Sequence, residues 1–157
     1  MRKRNFGKYI TYRLQIGIPE MCYDLRKLGF DERKTNRLSF PSIPRQYLRD
    51  FVRGYFEGDG NVWAGNTHKD RKTKTLAIQS VFTSASTRFL EKLKSDLEKS
   101  GVEKGVLRKG KGSYFRLTYS VINSLKLYNF MYNDLNTSKL FLERKKNVFD
   151  RYIKMRL

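Results

Sequence analysis

Residues 47–63, YLRDFVRGYFEGDGNVW, constrain the chain more than any other stretch. Leu48, Phe51, Val52, Tyr55 and Phe56 recur at i, i+3, i+4, i+7 and i+8, the apolar stripe of one amphipathic helix. That helix runs into Glu57 and Asp59, with glycines at 58 and 60. A helix C-terminus is the negative pole of its dipole, so acids there are destabilising until a cation joins them. Gly54 sits inside the helix at a cost of about 1 kcal/mol relative to Ala. Close approach of a second helix backbone would give it a reason.

The flanking segments alternate between two periods. KYITYRLQI, residues 8–16, places Ile10, Tyr12, Leu14 and Ile16 on one face and Thr11, Arg13 and Gln15 on the other, a half-buried strand. Pro19 suits the first turn of a helix through Met21, Leu25 and Leu28 that Gly29 ends. Pro41 and Pro44 exclude a continuous helix or central strand from the basic connection that follows. After Gly60, NVWAGN and KTLAIQSVF read as strands around the polar turn THKDRKT. Leu76, Ile78 and Phe82 share one face of the second strand, opposite Thr75, Ala77 and Gln79. TRFLEKLKSDLEKS, residues 87–100, is a helix with Phe89, Leu93 and Leu97 inward. The basic segment EKGVLRKGKG leads to the strand SYFRLTY, where Phe115, Leu117 and Tyr119 oppose Tyr114, Arg116 and Thr118. Helical segments over 121–133 and 138–155 close the chain.

A length of 157 residues suits one domain with a real core, and 11 Phe and 10 Tyr supply it with apolar mass. The 34 Lys and Arg against 15 Asp and Glu give a net charge of +19, which says little about fold and much about partners. A membrane-surface protein would concentrate its cations on one amphipathic helix. Here they are spread over the chain and interleaved with aromatics, which points to nucleic acid. Cys22 is the one cysteine, so no intramolecular disulfide framework exists, and it reads as a small core residue. With His68 as the one histidine, a His-based zinc site or a His-dependent triad is nearly excluded. Trp63 reads as packing near the start of its strand. No apolar run is long enough for a membrane span. MRKRNFGKYITY carries charge but no apolar signal region, so an intracellular setting, cytoplasm or organelle interior, is expected.

YRLQIGIPEMCYDLRKLGF near the start echoes FRLTYSVINSLKLYNFMY near the end; each is a strand followed by an amphipathic helix and a basic cluster, ERKT or ERKK. The expected organisation is a partial first repeat over residues 1–43, whose beginning lies outside this chain, and a complete repeat over 44–157.

The run VRGYFEGDG, residues 52–60, resembles the signature of the LAGLIDADG homing endonucleases, with matches at Gly54, Phe56, Glu57, Gly58, Asp59 and Gly60. Its context of a helix, two strands, a helix, two strands and closing helices, with FPSIP upstream and LERK downstream, strengthens the likeness. The resemblance implies an α+β fold in which an antiparallel β-sheet saddle is backed by helices. It implies a sequence-specific, intron-encoded type of endonuclease that hydrolyses double-stranded DNA with Mg²⁺, for which Mn²⁺ can substitute. Asp59 is then the metal ligand, with the Gly58 carbonyl as a second oxygen, and Glu57 holds the helix end. Gly54, Val52 and Tyr55 form the helix–helix interface. Lys145 is the candidate catalytic lysine, with Lys34 its counterpart in the partial repeat, and Thr83 or Ser84 positions water. The strand faces and turns bind DNA through Thr11, Arg13, Gln15, Lys34, Arg71, Lys72, Lys74, Gln79, Arg108, Lys109, Lys111, Tyr114 and Arg116. One motif supplies half of such a site, so a second is needed from a homodimer partner or an N-terminal half. Two other readings fit the same scaffold: a DNA binder that does not cut, and an RNA-binding intron-splicing cofactor (maturase).

Overall fold

The computed structural model describes residues 2–6, 9–13, 15–27, 38–67, 72–133 and 140–156, with side chains described from residue 15 onward. The chain divides into two compact units, Met1–Glu32 and Arg33–Leu157.

In the first unit, strands β1 (Arg2–Phe6) and β2 (Tyr9–Arg13) pair antiparallel, Arg2 opposite Arg13 and Phe6 opposite Tyr9. The expected strand over 8–16 is β2, ending at Arg13, so Gln15 lies beyond it and is exposed. The charged N-terminal segment, which carries no alternation, forms β1 by pairing alone. Helix α1 (Pro19–Lys27) follows, with Pro19 at its first position. None of its residues is buried, and Cys22, expected in a core, is exposed.

The second unit opens with a 3-10 turn, Arg45–Tyr47, leading into α2 (Leu48–Asp59). There follow β3 (Asn61–Thr67), β4 (Thr75–Ser84), α3 (Thr87–Glu98), β5 (Val106–Lys109), β6 (Phe115–Tyr119), α4 (Val121–Tyr132) and α5 (Glu143–Lys154). The strands form an antiparallel sheet in the order β3-β4-β6-β5. VLRK, read from sequence as part of a basic connection, is β5; four residues are too few for alternation to show, and pairing with β6 makes them a strand.

Ile78, Phe82, Leu117 and Tyr119 are almost wholly buried, so the period-2 pattern in β4 and β6 points the expected face inward. Helices cover that face. Val52 and Phe56 of α2, Phe89, Leu90, Leu93 and Leu97 of α3, Leu127 and Met131 of α4 and Phe149 and Tyr152 of α5 complete one core with it. Each large apolar side chain so buried contributes about 1.5–3 kcal/mol. Ser86 caps α3, accepting from Phe89 N (3.2 Å) while its hydroxyl donates to Leu38 O (2.7 Å). The opposite sheet face is left open. Register sets its rows: Trp63 faces Gln79, Val81 faces Thr118 and then Val106, and Thr83 faces Arg116 and then Arg108.

Candidate active site and nucleic-acid face

The last turn of α2 is fixed from three directions. Gly60 N donates to Phe56 O at 2.9 Å, closing the helix. A Cβ on Gly60 would stand 2.5 Å from the Phe56 ring and 2.6 Å from its carbonyl, so no other residue fits this turn. Lys145, from the first turn of α5, is 5% exposed, and its Nζ donates to Phe56 O (2.6 Å), Glu57 O (2.9 Å) and Gly60 O (2.6 Å). An ammonium has three protons, and all three are used here. A cation is thus placed at the negative pole of α2. Burial pulls the Lys145 pKa down; the Glu57 charge opposes that, Arg144 adds to it and Asp59 opposes it.

Glu57 completes the clamp. One carboxylate oxygen accepts from the Tyr132 hydroxyl at the end of α4, and the other accepts from Leu142 N at 3.1 Å, just before α5. Both oxygens are therefore structural, which agrees with a residue that holds the helix end. Burial, then the hydrogen bond and charge of Glu57, push the Tyr132 hydroxyl well above the ordinary tyrosine range. Lys145 lies neither on a solvated helix face nor free to meet a substrate. To reach a phosphate it must release a carbonyl.

Asp59 is the acid left exposed. It opens on a shallow cavity of about 440 Å³ lined by Tyr55, Thr83, Ser84, Ser113 and Tyr114, among others. Among the described residues no three His, Cys, Asp or Glu side chains gather as a metal site. The local donors are the Asp59 carboxylate and the carbonyl of Gly58, which is not among those taken by Lys145. Both are hard oxygens of the kind Mg²⁺ prefers, and Mg²⁺ ordinarily completes its shell with water and phosphate oxygens. The set fits half of a divalent site. Ser84, the candidate for positioning water, is nearly buried, and its hydroxyl accepts from Ser86 N at 3.1 Å. Thr83, one residue earlier, holds the place on the open face. The Tyr55 hydroxyl donates to Thr83 O at 2.7 Å. Burial raises its pKa to about 12, the Ser84 hydrogen bond opposing and the Asp59 charge adding.

The helix-interface expectation needs correction. Val52 is wholly buried in the core, and Tyr55 packs on Phe82 and Phe89, so both belong to the inward face of α2. The outward face carries Asp50, Gly54 and Gly58, all exposed, as is Tyr47 just before the helix, and a Cβ on either glycine would meet nothing within 4 Å. The apolar stripe read from sequence is therefore the core stripe, and the glycine stripe beside it is open.

On the open sheet face a groove of about 770 Å³ is lined by Gln79, Arg108, Lys109, Lys111, Tyr114 and Arg116, together with Lys104 and Thr118. Six of the residues expected to bind DNA are thereby brought together. Arg108 and Arg116 stand directly opposite each other, a like-charge pair that costs stability until an anion lies between them. Arg116 also stacks over Tyr114, 5.3 Å from the ring centre. Lys72 and Lys74 are exposed before β4, outside this groove. Thr11 and Arg13 lie in β2 with side chains outside the described set, and Lys34, His68 and Arg71 lie outside the described residues. Sequence reasoning missed Tyr132, whose partner is 75 residues away, and Lys104, which no strand pattern marks.

The sequence profile of the LAGLIDADG-like domain matches residues 46–132, more than half of the chain. No curated protein sequence matches it. Among solved structures, the archaeal intron-encoded homing endonuclease I-Vdi141I, complexed with DNA, superposes with a TM-score of 0.52 at 13% identity, over 71% of this chain and 68% of its own. The homing endonuclease I-CvuI, in complex with an I-CreI target, gives 0.51 at 12% identity over 71% and 66%. The meganuclease I-SmaMI, bound to uncleavable DNA, gives 0.52 at 17% identity, covering 76% of this chain but 38% of that one. The profile spans the glycine-flanked acid, the helix that carries it and the sheet that follows, and the chain belongs to the LAGLIDADG family.

Proposed function

We propose that this chain is a double-stranded-DNA endonuclease subunit of the homing type, contributing one half of a divalent-metal site through Asp59. The observation that carries the reading is continuity. Tyr114 lines both the Asp59 cavity and the basic groove, so a phosphodiester strand lying over Arg108 and Arg116 leads directly to the exposed acid. The DNA and the Mg²⁺ or Ca²⁺ named for the neighbouring structures support the same partner and cofactor class.

In this reading Asp59 and the Gly58 carbonyl hold Mg²⁺, or Mn²⁺ in its place. The metal supplies Lewis-acid stabilisation of the oxygens of an in-line displacement at phosphorus. The chain's own residues do the rest. Arg108, Arg116 and Lys111 fix the backbone, Gln79 reaches base edges, and Thr83 offers a hydroxyl toward the cavity. Lys145 acts as a positioning residue, setting the turn that presents Asp59. The second acid comes from a second motif, in a homodimer or in another LAGLIDADG half. Gly54 and Gly58 mark the face that would meet it. In this reading residues 1–43, which hold β2 and α1, echo the strand and helix of the LAGLIDADG repeat at 44–157.

The test is Asp59→Asn. Metal-dependent cleavage of duplex DNA should be lost while duplex affinity stays equal or rises, since one negative charge is removed from the phosphate path. Unchanged cutting by the variant would remove Asp59 from the chemistry. Light scattering at high salt separates the two assemblies: a mass near twice 18.7 kDa favours the homodimer.

A further inference from the structure

Trp63 is the chain's single tryptophan, and it is 45% exposed rather than packed. It lies in β3 on the open face of the sheet, opposite Gln79. Its indole is laid back along the strand over Gly65: a Cβ there would stand 2.9 Å from Trp63 Cζ2, so any other residue would push the ring away. β3 is the end strand of its sheet, and a groove of about 530 Å³ runs between it and α5. Val62, Ala64 and Val148 contribute its apolar surface together with Trp63 and Met155, and Arg151 and Lys154 are its charged residues. No acid lines it. Asp150, in the adjacent groove, is held by the Tyr128 hydroxyl (2.6 Å) and by Lys146 (2.9 Å). Arg151 Nε donates to Asn147 O at 3.2 Å, which anchors the guanidinium on its helix.

A half-exposed indole beside two cations is poor packing and a good receptor. The ring gives a base a flat surface to stack on, and the cations attract its phosphates. Bases inside a duplex are already stacked and offer their edges, so the ligand that uses this surface is unpaired. We propose that Trp63, Arg151 and Lys154 form a binding site for an unpaired nucleotide of a nucleic-acid strand, with the base on the indole and the phosphates on the two cations. The site shares no lining residue with the Asp59 cavity or the Arg108–Arg116 groove, so it stands whether or not the chain cuts DNA.

The single tryptophan reports on its own site. The full chain is titrated with a 12-nucleotide oligothymidylate at fixed salt, reading tryptophan fluorescence and the anisotropy of a labelled oligomer in parallel. Fluorescence should be quenched with the same Kd that anisotropy gives. Trp63→Ala should weaken binding of the 12-mer about 5- to 150-fold, and binding of a duplex of equal length much less. Gly65→Ala keeps the tryptophan but displaces the ring, and should reduce both quenching and affinity. This variant keeps the test open if Trp63→Ala does not fold. The double change Arg151→Ala with Lys154→Ala should lower the salt slope by about 1.4. Quenching by oligothymidylate, by oligouridylate or by both supports the site and names the strand that fills it. Saturation by both oligomers without quenching, or equal single-strand affinity of Trp63→Ala and the parent, would overturn it.

Discussion

Removing the Lys145 ammonium would take this donor from the Glu57 and Gly60 carbonyls at the end of α2 and leave Phe56 O with Gly60 N alone. Lys145→Met keeps the length of the side chain and should destabilise the fold by about 2–3 kcal/mol, measured by urea denaturation. Tyr132→Phe removes one hydroxyl from Glu57 and should cost about 1–2 kcal/mol. If the clamp positions Asp59, Tyr132→Phe lowers kcat for cleavage while leaving KM for DNA unchanged; a rise in KM alone would place Tyr132 on the binding surface instead. Arg116→Ala should weaken duplex binding roughly equally across sequences and lower the slope of log K against log salt by about 1, since Arg116 faces the groove rather than a protein acid.

Helix α2 presents two unlike faces, and substitutions at Gly54 separate them. In the free chain a Cβ at Gly54 meets nothing, so Gly54→Ala should raise stability by about 0.5–1 kcal/mol through helix propensity alone. Gly54→Leu should also fold, yet keep another helix backbone at a distance. The expected result is intact thermal stability with loss of the associated species in light scattering. Stable association of the leucine variant would show that α2 is not the pairing element. Both outcomes concern the open face, since Val52 and Phe56 bury the other.

For the whole molecule, alkaline pH tests the aromatic core. Burial first, and neighbouring acids next, raise the hydroxyl pKa of Tyr55 to about 12 and those of Tyr119 and Tyr132 further. In the unfolded chain each ionises near pH 10. Between these values the folded state binds more protons than the unfolded, so stability falls as pH rises. Denaturation midpoints should therefore drop steeply from about pH 10 toward 12. Lys145, whose pKa is lowered, works the other way below its unfolded value, but it is one group against three tyrosines. A midpoint that holds level to about pH 12 would contradict this burial. Salt acts on the same scale: six to ten phosphate contacts would cost about 10³–10⁵ in DNA affinity between 50 and 200 mM.

Periodicity determined the elements. A stripe at 3.6 residues buries only as a helix, and alternation buries only as a strand, so α2, β4, β6 and α3 were readable from residue spacing, and VRGYFEGDG put Asp59 at the end of a helix. Tertiary structure decided what local pattern cannot carry. VLRK became a strand because β6 lay beside it, and Cys22 stayed exposed because nothing described covers α1. Glu57 and Lys145 are 88 residues apart, and only the packing of α4 and α5 around the end of α2 made one a clamp and the other a cap. Which face of a helix is covered, and which carboxylate is left for a ligand, depends on neighbours distant in sequence. That is why Val52 and Tyr55 went to the core, and why the glycines and Asp59 were left facing out.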